Sequence, residues 1–153
     1  MKEKSIEIKI LQIKTLRFSY THKDNLEDSK FDENKINFIY KSTIGLKVNT
    51  ENETVDVKFL LKVFIPKKRE DILTIEVLCS YHFKNLKDFE ISENEVDLPE
   101  DIIENLVITS ISNTRGVLAV KVIESGFTRI ILPLIQMDEL IPKDNVKKQK
   151  KGT

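Results

Sequence analysis

Reactive side chains are few in this 153-residue chain: one cysteine, two histidines, three tyrosines and no tryptophan. Cys79 and His82 are close enough in sequence to suggest a thiolate–imidazole pair, in which the ring would draw off the thiol proton and leave a nucleophile. The segment that holds them alternates apolar and polar residues, so a strand would send the two side chains to opposite faces. The other reactive members of the apolar rows are Ser42, Tyr40 and Tyr81, and none has an acid or histidine two places away. His22 has no neighbouring His or Cys with which to hold a metal, and a lone cysteine makes neither an internal disulfide nor a thiolate cluster. Four scattered glycines (45, 116, 126 and 152) form no phosphate-cradling loop. Cys79 thus reads as a small buried hydrophobe, and the chain as a non-enzyme without cofactor or metal. An enzyme on a cone-like α+β sheet would need Cys79 and an acid to converge in a closed pocket.

The elements that would carry these residues are mostly strands. Even positions from 36 to 48 read Ile36, Phe38, Tyr40, Ser42, Ile44, Leu46, Val48, with mainly polar residues between them. Odd positions read Val55, Val57, Phe59, Leu61, Val63, Ile65 and then Leu73, Ile75, Val77, Cys79, Tyr81, Phe83. This period of two predicts half-buried strands. The polar connections 49–53 and 66–71 suit hairpins, so these three strands should form an antiparallel meander. A first strand carries Ile6, Ile8 and Ile10, then changes phase at Leu11 and Ile13. One extra residue flips all later side chains, so a bulge is expected near Ile10–Leu11. The connection from Thr21 to Asn34 is long and polar apart from Leu26 and Phe31.

Pro99 followed by Glu100 and Asp101 reads as a helix start, with acids where the helix dipole favours them. The helix should run into the 110s or as far as Glu124, with Gly126 as its stop. Ile, Val, Ser and Thr are modest helix formers, so tertiary packing must supply much of its stability. A short helix is expected from Asp138, ending before Pro142. The fold class is therefore α+β: a four-stranded antiparallel sheet covered on one face by a long helix and a short C-terminal helix. Residues 1–142 form a single domain, with 143–153 a basic, disordered tail.

Charge and hydropathy narrow the function. The chain has 25 basic and 25 acidic residues, but five lysines (143, 147, 148, 150 and 151) against Asp144 fall in 143–153. The body then holds 20 basic and 24 acidic side chains, a net of −4. That excludes an extended phosphate-binding groove and argues against a nucleic-acid partner. Residues 87–104 hold eight acids and one lysine, and read as a solvated linker leading into the helix, with a docking surface for a basic partner as the alternative. The longest apolar run, 130–135, falls short of the roughly 20 residues of a membrane helix, and no apolar leader follows Met1. Membrane insertion is not expected, and the location reads as cytoplasmic. Apolar residues on the nominally polar rows (Ile39, Leu60, Phe64 and Leu78) suggest a contact surface, because apolar patches left exposed usually mark partner sites.

Ser110-Ile111-Ser112-Asn113-Thr114-Arg115-Gly116, then Leu132-Pro133, then Met137-Asp138-Glu139-Leu140, resemble in order the motifs of the SecB family of export chaperones. In that family an Arg-Gly pair in the long helix is followed by a crossover, a proline motif and an Asp-x-Leu start to the last helix. The resemblance covers residues 6–141, with the four strands and the long first connection in matching order. It implies a homotetramer, a dimer of dimers, that holds unfolded polypeptide without ATP. Arg115 and Gly116 would be structural, one a helix charge with a buried or interface partner and the other a close-packing or bending site. Pro133, Asp138 and Leu140 complete the structural motif. Client contact would fall on Phe38 and Tyr40 of the second strand and on Phe127, Leu134 and Ile135 of the crossover. The lysine-rich tail and Pro142 depart from export-type SecB, whose acidic form engages the SecA motor. The branch that serves an antitoxin or another dedicated client stays open. A dedicated interaction module, of antitoxin or adaptor type, is the second reading.

Overall fold

A computed structural model describes residues 6–26, 32–93, 95–136 and the backbone of 149–150. Long strands β1 (Ile8–Tyr20), β2 (Ile39–Asn49), β3 (Thr54–Phe64) and β4 (Asp71–Phe83) form one antiparallel sheet in the order β1-β4-β3-β2. The helix α1 (Glu100–Lys121) covers one face and continues into a 3₁₀ turn, Val122–Ser125. The α+β architecture and the β2–β3–β4 meander are as the alternation predicts.

The rows read from sequence set the register. Val55, Val57, Phe59, Leu61 and Val63 face the helix side, opposite Tyr81, Cys79, Val77, Ile75 and Leu73 of β4. Each of these is buried, and burying one such aliphatic or aromatic side chain is worth roughly 1.5–3 kcal/mol. The expected bulge is present: the β1–β4 register slips between Ile10 and Gln12. A second slip, between Thr15 and Arg17, sets Leu16 out of register. The two slips let one strand stay apolar through a phase change while pairing along its whole length.

The helix is held by its buried face, including Ile103, Val107, Ile111 and Leu118. Its serine and threonine hydroxyls turn back on the helix: Ser110 Oγ donates to Leu106 O at 2.7 Å and Thr114 Oγ1 to Ser110 O at 2.8 Å. This back-bonding satisfies buried hydroxyls in place of water. Tyr81 OH reaches Ser110 Oγ at 2.7 Å and so ties sheet to helix. Burial pushes the Tyr81 phenol up to about 12. Glu100–Ser125 is long and apolar enough by composition to cross a membrane, but here that apolar face closes the core over β3 and β4.

Residues 87–98 correct the expectation of a solvated linker. Leu86–Phe89 form a 3₁₀ turn, and β5 (Glu90–Ser92) pairs with β6 (Glu95–Val96) as a hairpin. Leu86, Val96 and Leu98 are buried, and Phe89 meets Phe83 edge-to-face at 5.4 Å. These apolar residues anchor a strip whose composition is otherwise acidic. The tail expected at 143–153 lies outside the described residues apart from the backbone of β7 (Gln149–Lys150), which pairs with β6. Phe31, the short helix from Asp138, Leu140 and Pro142 lie outside the described residues.

Candidate functional site

Gly126 ends the helical region with φ 78°, in the left-handed region that suits glycine. A Cβ there would stand 3.0 Å from His22 Cε1, so the ring of the β1–β2 connection packs against bare backbone. Beyond it, 127–136 crosses the sheet end without regular structure. Such a segment needs partners for its backbone groups, and side chains supply them.

Glu33, 4% exposed, accepts from Thr128 N at 2.5 Å, from Arg129 N, and from Thr128 Oγ1 at 3.3 Å. Lys23 Nζ approaches the same carboxylate at 3.4 Å. Burial pushes this carboxyl up, but the Arg129 and Thr128 amides and Lys23 outweigh it and leave it below the usual glutamate value. Ile131 N donates to Tyr40 OH at 3.3 Å, and burial raises the Tyr40 phenol above its ordinary range against that bond. Arg115 donates from Nε to Leu132 O and from Nη2 to Pro133 O, each at 3.2 Å. Arg115 therefore has its partners within the same chain, on the Leu132-Pro133 step.

Pinned in this way, the segment divides its apolar side chains. Phe127, Ile130 and Leu132 enter the core, Ile135 packs partly against it, and Ile131 and Leu134 face solvent, Leu134 being 92% exposed. Phe38 meets Phe127 edge-to-face at 5.9 Å. Five residues proposed from sequence for client contact thus separate: Phe38, Tyr40 and Phe127 build the support, Ile135 is half in it, and Leu134 is presented outward. Ile131, not singled out from the sequence, joins Leu134 on the exposed side; nothing local in the apolar run 130–135 distinguishes it from its buried neighbours. Beside them β2 is an edge strand whose outer backbone groups have no partner in the four-stranded sheet.

A second apolar surface lies along β1 and α1. Ile13, Gly116, Val117 and Val120 line a groove of about 550 Å³. Ile10, Ile108 and Ile123 are also exposed, and Val120 is 70% exposed. A Cβ on Gly116 would meet nothing within 4 Å, so close packing within the chain does not explain that glycine. On the outer sheet face Ile39 is exposed, and Lys41 Nζ covers the Phe64 ring at 4.9 Å.

Cys79 is buried, with Asn113 Nδ2 at 3.8 Å from its sulfur. His82 is on the opposite row and faces Glu53 at 3.4 Å. Among the described residues no group of three or more His, Cys, Asp or Glu converges as for a metal ion.

No family model and no curated protein matches the sequence. Among solved structures, the chain is similar to the Mycobacterium tuberculosis SecB-like chaperone Rv1957, solved in complex with a ChAD peptide from the HigA1 antitoxin Rv1956. The two share 11% identity over 84% of this chain and 90% of that one, with a TM-score of 0.55. A Streptococcus agalactiae protein of unknown function aligns over 85% of this chain and 99% of its own, at 16% identity and a TM-score of 0.41. The first likeness is one of architecture: this chain has a fold similar to that of a SecB-like chaperone.

Proposed function

We propose that this protein is an ATP-independent chaperone that holds unfolded polypeptide. The observation that carries the proposal is the pinned crossover, which presents Ile131 and Leu134 beside the unpaired edge of β2. An unfolded chain exposes apolar side chains and unsatisfied backbone together, and such a surface offers a partner for both. Contacts of this kind read hydrophobicity more than sequence, so the client range is broad, and the protein acts in the cytoplasm. Near-stoichiometric amounts should suppress aggregation of a denatured client without nucleotide. No suppression across several clients would refute the holdase.

Assembly belongs to the same proposal. The β1–α1 face leaves Ile10, Ile13, Ile108, Val120 and Ile123 exposed, and a homo-oligomer, a dimer of dimers, would cover them. A solution mass near four times 17.8 kDa is expected. The acidic residues with which export-type SecB meets SecA have no counterparts placed on this chain, so delivery to SecA is not part of the reading.

A dedicated adaptor is the second reading, favoured by the neighbour's bound antitoxin peptide. Reproducible capture of one partner, with no general suppression of aggregation, would select it.

A further inference from the structure

The helix covers one face of the main sheet, and the opposite face carries a charge that the body as a whole does not. Side chains directly opposite in register share a face. Gly45 stands opposite Lys58, Lys58 opposite Leu78 and Leu78 opposite Lys14, a row that alternates with the buried ones. Four neighbouring rows of this kind hold six cations (Lys14, Arg17, Lys41, Lys47, Lys58 and Lys62) against Asp56 and Glu76, a net of +4. The body sums to −4, so its basic side chains are concentrated here. Among the described residues none of the six has an ion-pair partner, although Asp56 is opposite Lys47 and Glu76 opposite Arg17. Lys41 even stands opposite Lys62. Like charges so placed destabilise a sheet, a cost that an anion brought to the face would offset. Between the cations, Leu16, Gly45, Lys47, Asp56, Lys58 and Leu78 line a hollow of about 370 Å³. Gly45 keeps it open, since a Cβ there would meet nothing within 4 Å. Leu16, set out of register by the second slip of β1, is 39% exposed at its rim.

We infer that this outer face is a docking surface for an acidic polypeptide of another protein. Carboxylates of the partner pair with the lysine rim, and one of its apolar side chains enters the hollow over Gly45. The surface is separate from the crossover and does not depend on the holdase reading. Its two parts divide the work: the charges steer the partner and select its sign, and the leucines give it apolar surface to bury. A nucleic acid fits less well. Single strands bind by stacking bases on aromatic rings, whereas the hollow is lined by leucines and the nearby Phe64 ring is already covered by Lys41 Nζ at 4.9 Å.

The test follows a fluorescein-labelled peptide of alternating Glu and Leu binding to the full chain, read by anisotropy. Gly45→Val fills the hollow with a residue that strands favour, so the melting temperature should hold while the Kd rises about tenfold. Lys14→Glu combined with Lys58→Glu reverses two rim charges that face no acid in register, and should raise the Kd by a similar factor. Raising salt to about 0.5 M should bring the wild type towards that double variant. If Gly45→Val does not fold, the charge reversal decides. Loss of binding in Leu134→Asp but not in Gly45→Val would put the peptide on the crossover and overturn the outer face as its site. Equal binding of the same peptide with Gln in place of Glu would overturn the charge pairing, and no binding of the acidic peptide would overturn the whole. Tighter binding of an oligothymidylate, lost in the same variants, would make the face a nucleic-acid surface instead. Salt-sensitive self-association that Gly45→Val abolishes would make a second copy the occupant, in place of another protein.

Discussion

Glu33 and Arg129 lie 96 positions apart, yet the carboxylate of Glu33 accepts the backbone N–H of Arg129. With Thr128 on the same carboxylate, this contact fastens the β1–β2 connection to the crossover. Glu33 opens a three-residue 3₁₀ turn, Glu33–Lys35, and Arg129 lies in irregular backbone, so the bond replaces the ladder that the crossover lacks.

Glu33→Gln should therefore destabilise the protein by about 2 kcal/mol, the cost of spoiling a buried charge-assisted contact. The folded-state carboxyl lies below its ordinary value, so its contribution is complete above the usual glutamate range. It fades as pH falls through the lowered value, where the folded carboxyl takes up its proton. Denaturant titrations should show the gap between wild type and variant full at pH 7 and narrowing with acidification below the carboxylate range.

Arg115→Met keeps an apolar stem but removes both donors to Leu132 O and Pro133 O. A loss of about 1–2 kcal/mol is expected, with faster protease cleavage around 131–135. Arg115→Lys should recover only part of this, because an ammonium lacks the planar fork that serves two carbonyls.

Leu134→Asp changes a side chain that is almost wholly exposed. Stability should shift by no more than about 0.5 kcal/mol. The Kd for an unfolded polypeptide should rise about tenfold, equivalent to about 1.4 kcal/mol. A surface uninvolved in binding would leave the Kd unchanged.

The two helical-region glycines should respond oppositely to alanine. Gly126→Ala combines a positive φ with a contact to His22, and should cost about 1–3 kcal/mol. Gly116→Ala fills open space, and should stabilise the folded chain by about 0.5–1 kcal/mol through helix propensity. If the β1–α1 face is an assembly surface, the same substitution weakens the oligomer, which sedimentation would read directly.

Local patterns recovered the elements themselves. Alternation from 55 to 65 and from 73 to 83 placed β3 and β4, and the phase change at Ile10–Leu11 placed the bulge. Pro99 and Gly126 marked the helical region, which the structure ends at Ser125. The acidic strip 87–98 misled, because charge density concealed the apolar anchors Val96 and Leu98, which with Leu86 just before it are spaced too irregularly to show a period.

Side-chain periodicity is a property of neighbours, so the amino-acid sequence by itself determined which residues face the core within β2, β3 and β4 and where the helical region stops, but not in β1, whose Ile10, Leu11 and Ile13 are exposed. It could not place β1 beside β4, because that choice depends on which edge closes a long connection. It could not reveal that Glu33, Tyr40 and Arg115 converge on one crossover, because each contact spans from 17 to 96 positions and leaves no local trace. Nor could it divide the run 130–135 into buried Ile130 and Leu132 and exposed Ile131 and Leu134. Only tertiary packing decides that division, since an irregular segment takes its direction from the groups that satisfy its backbone.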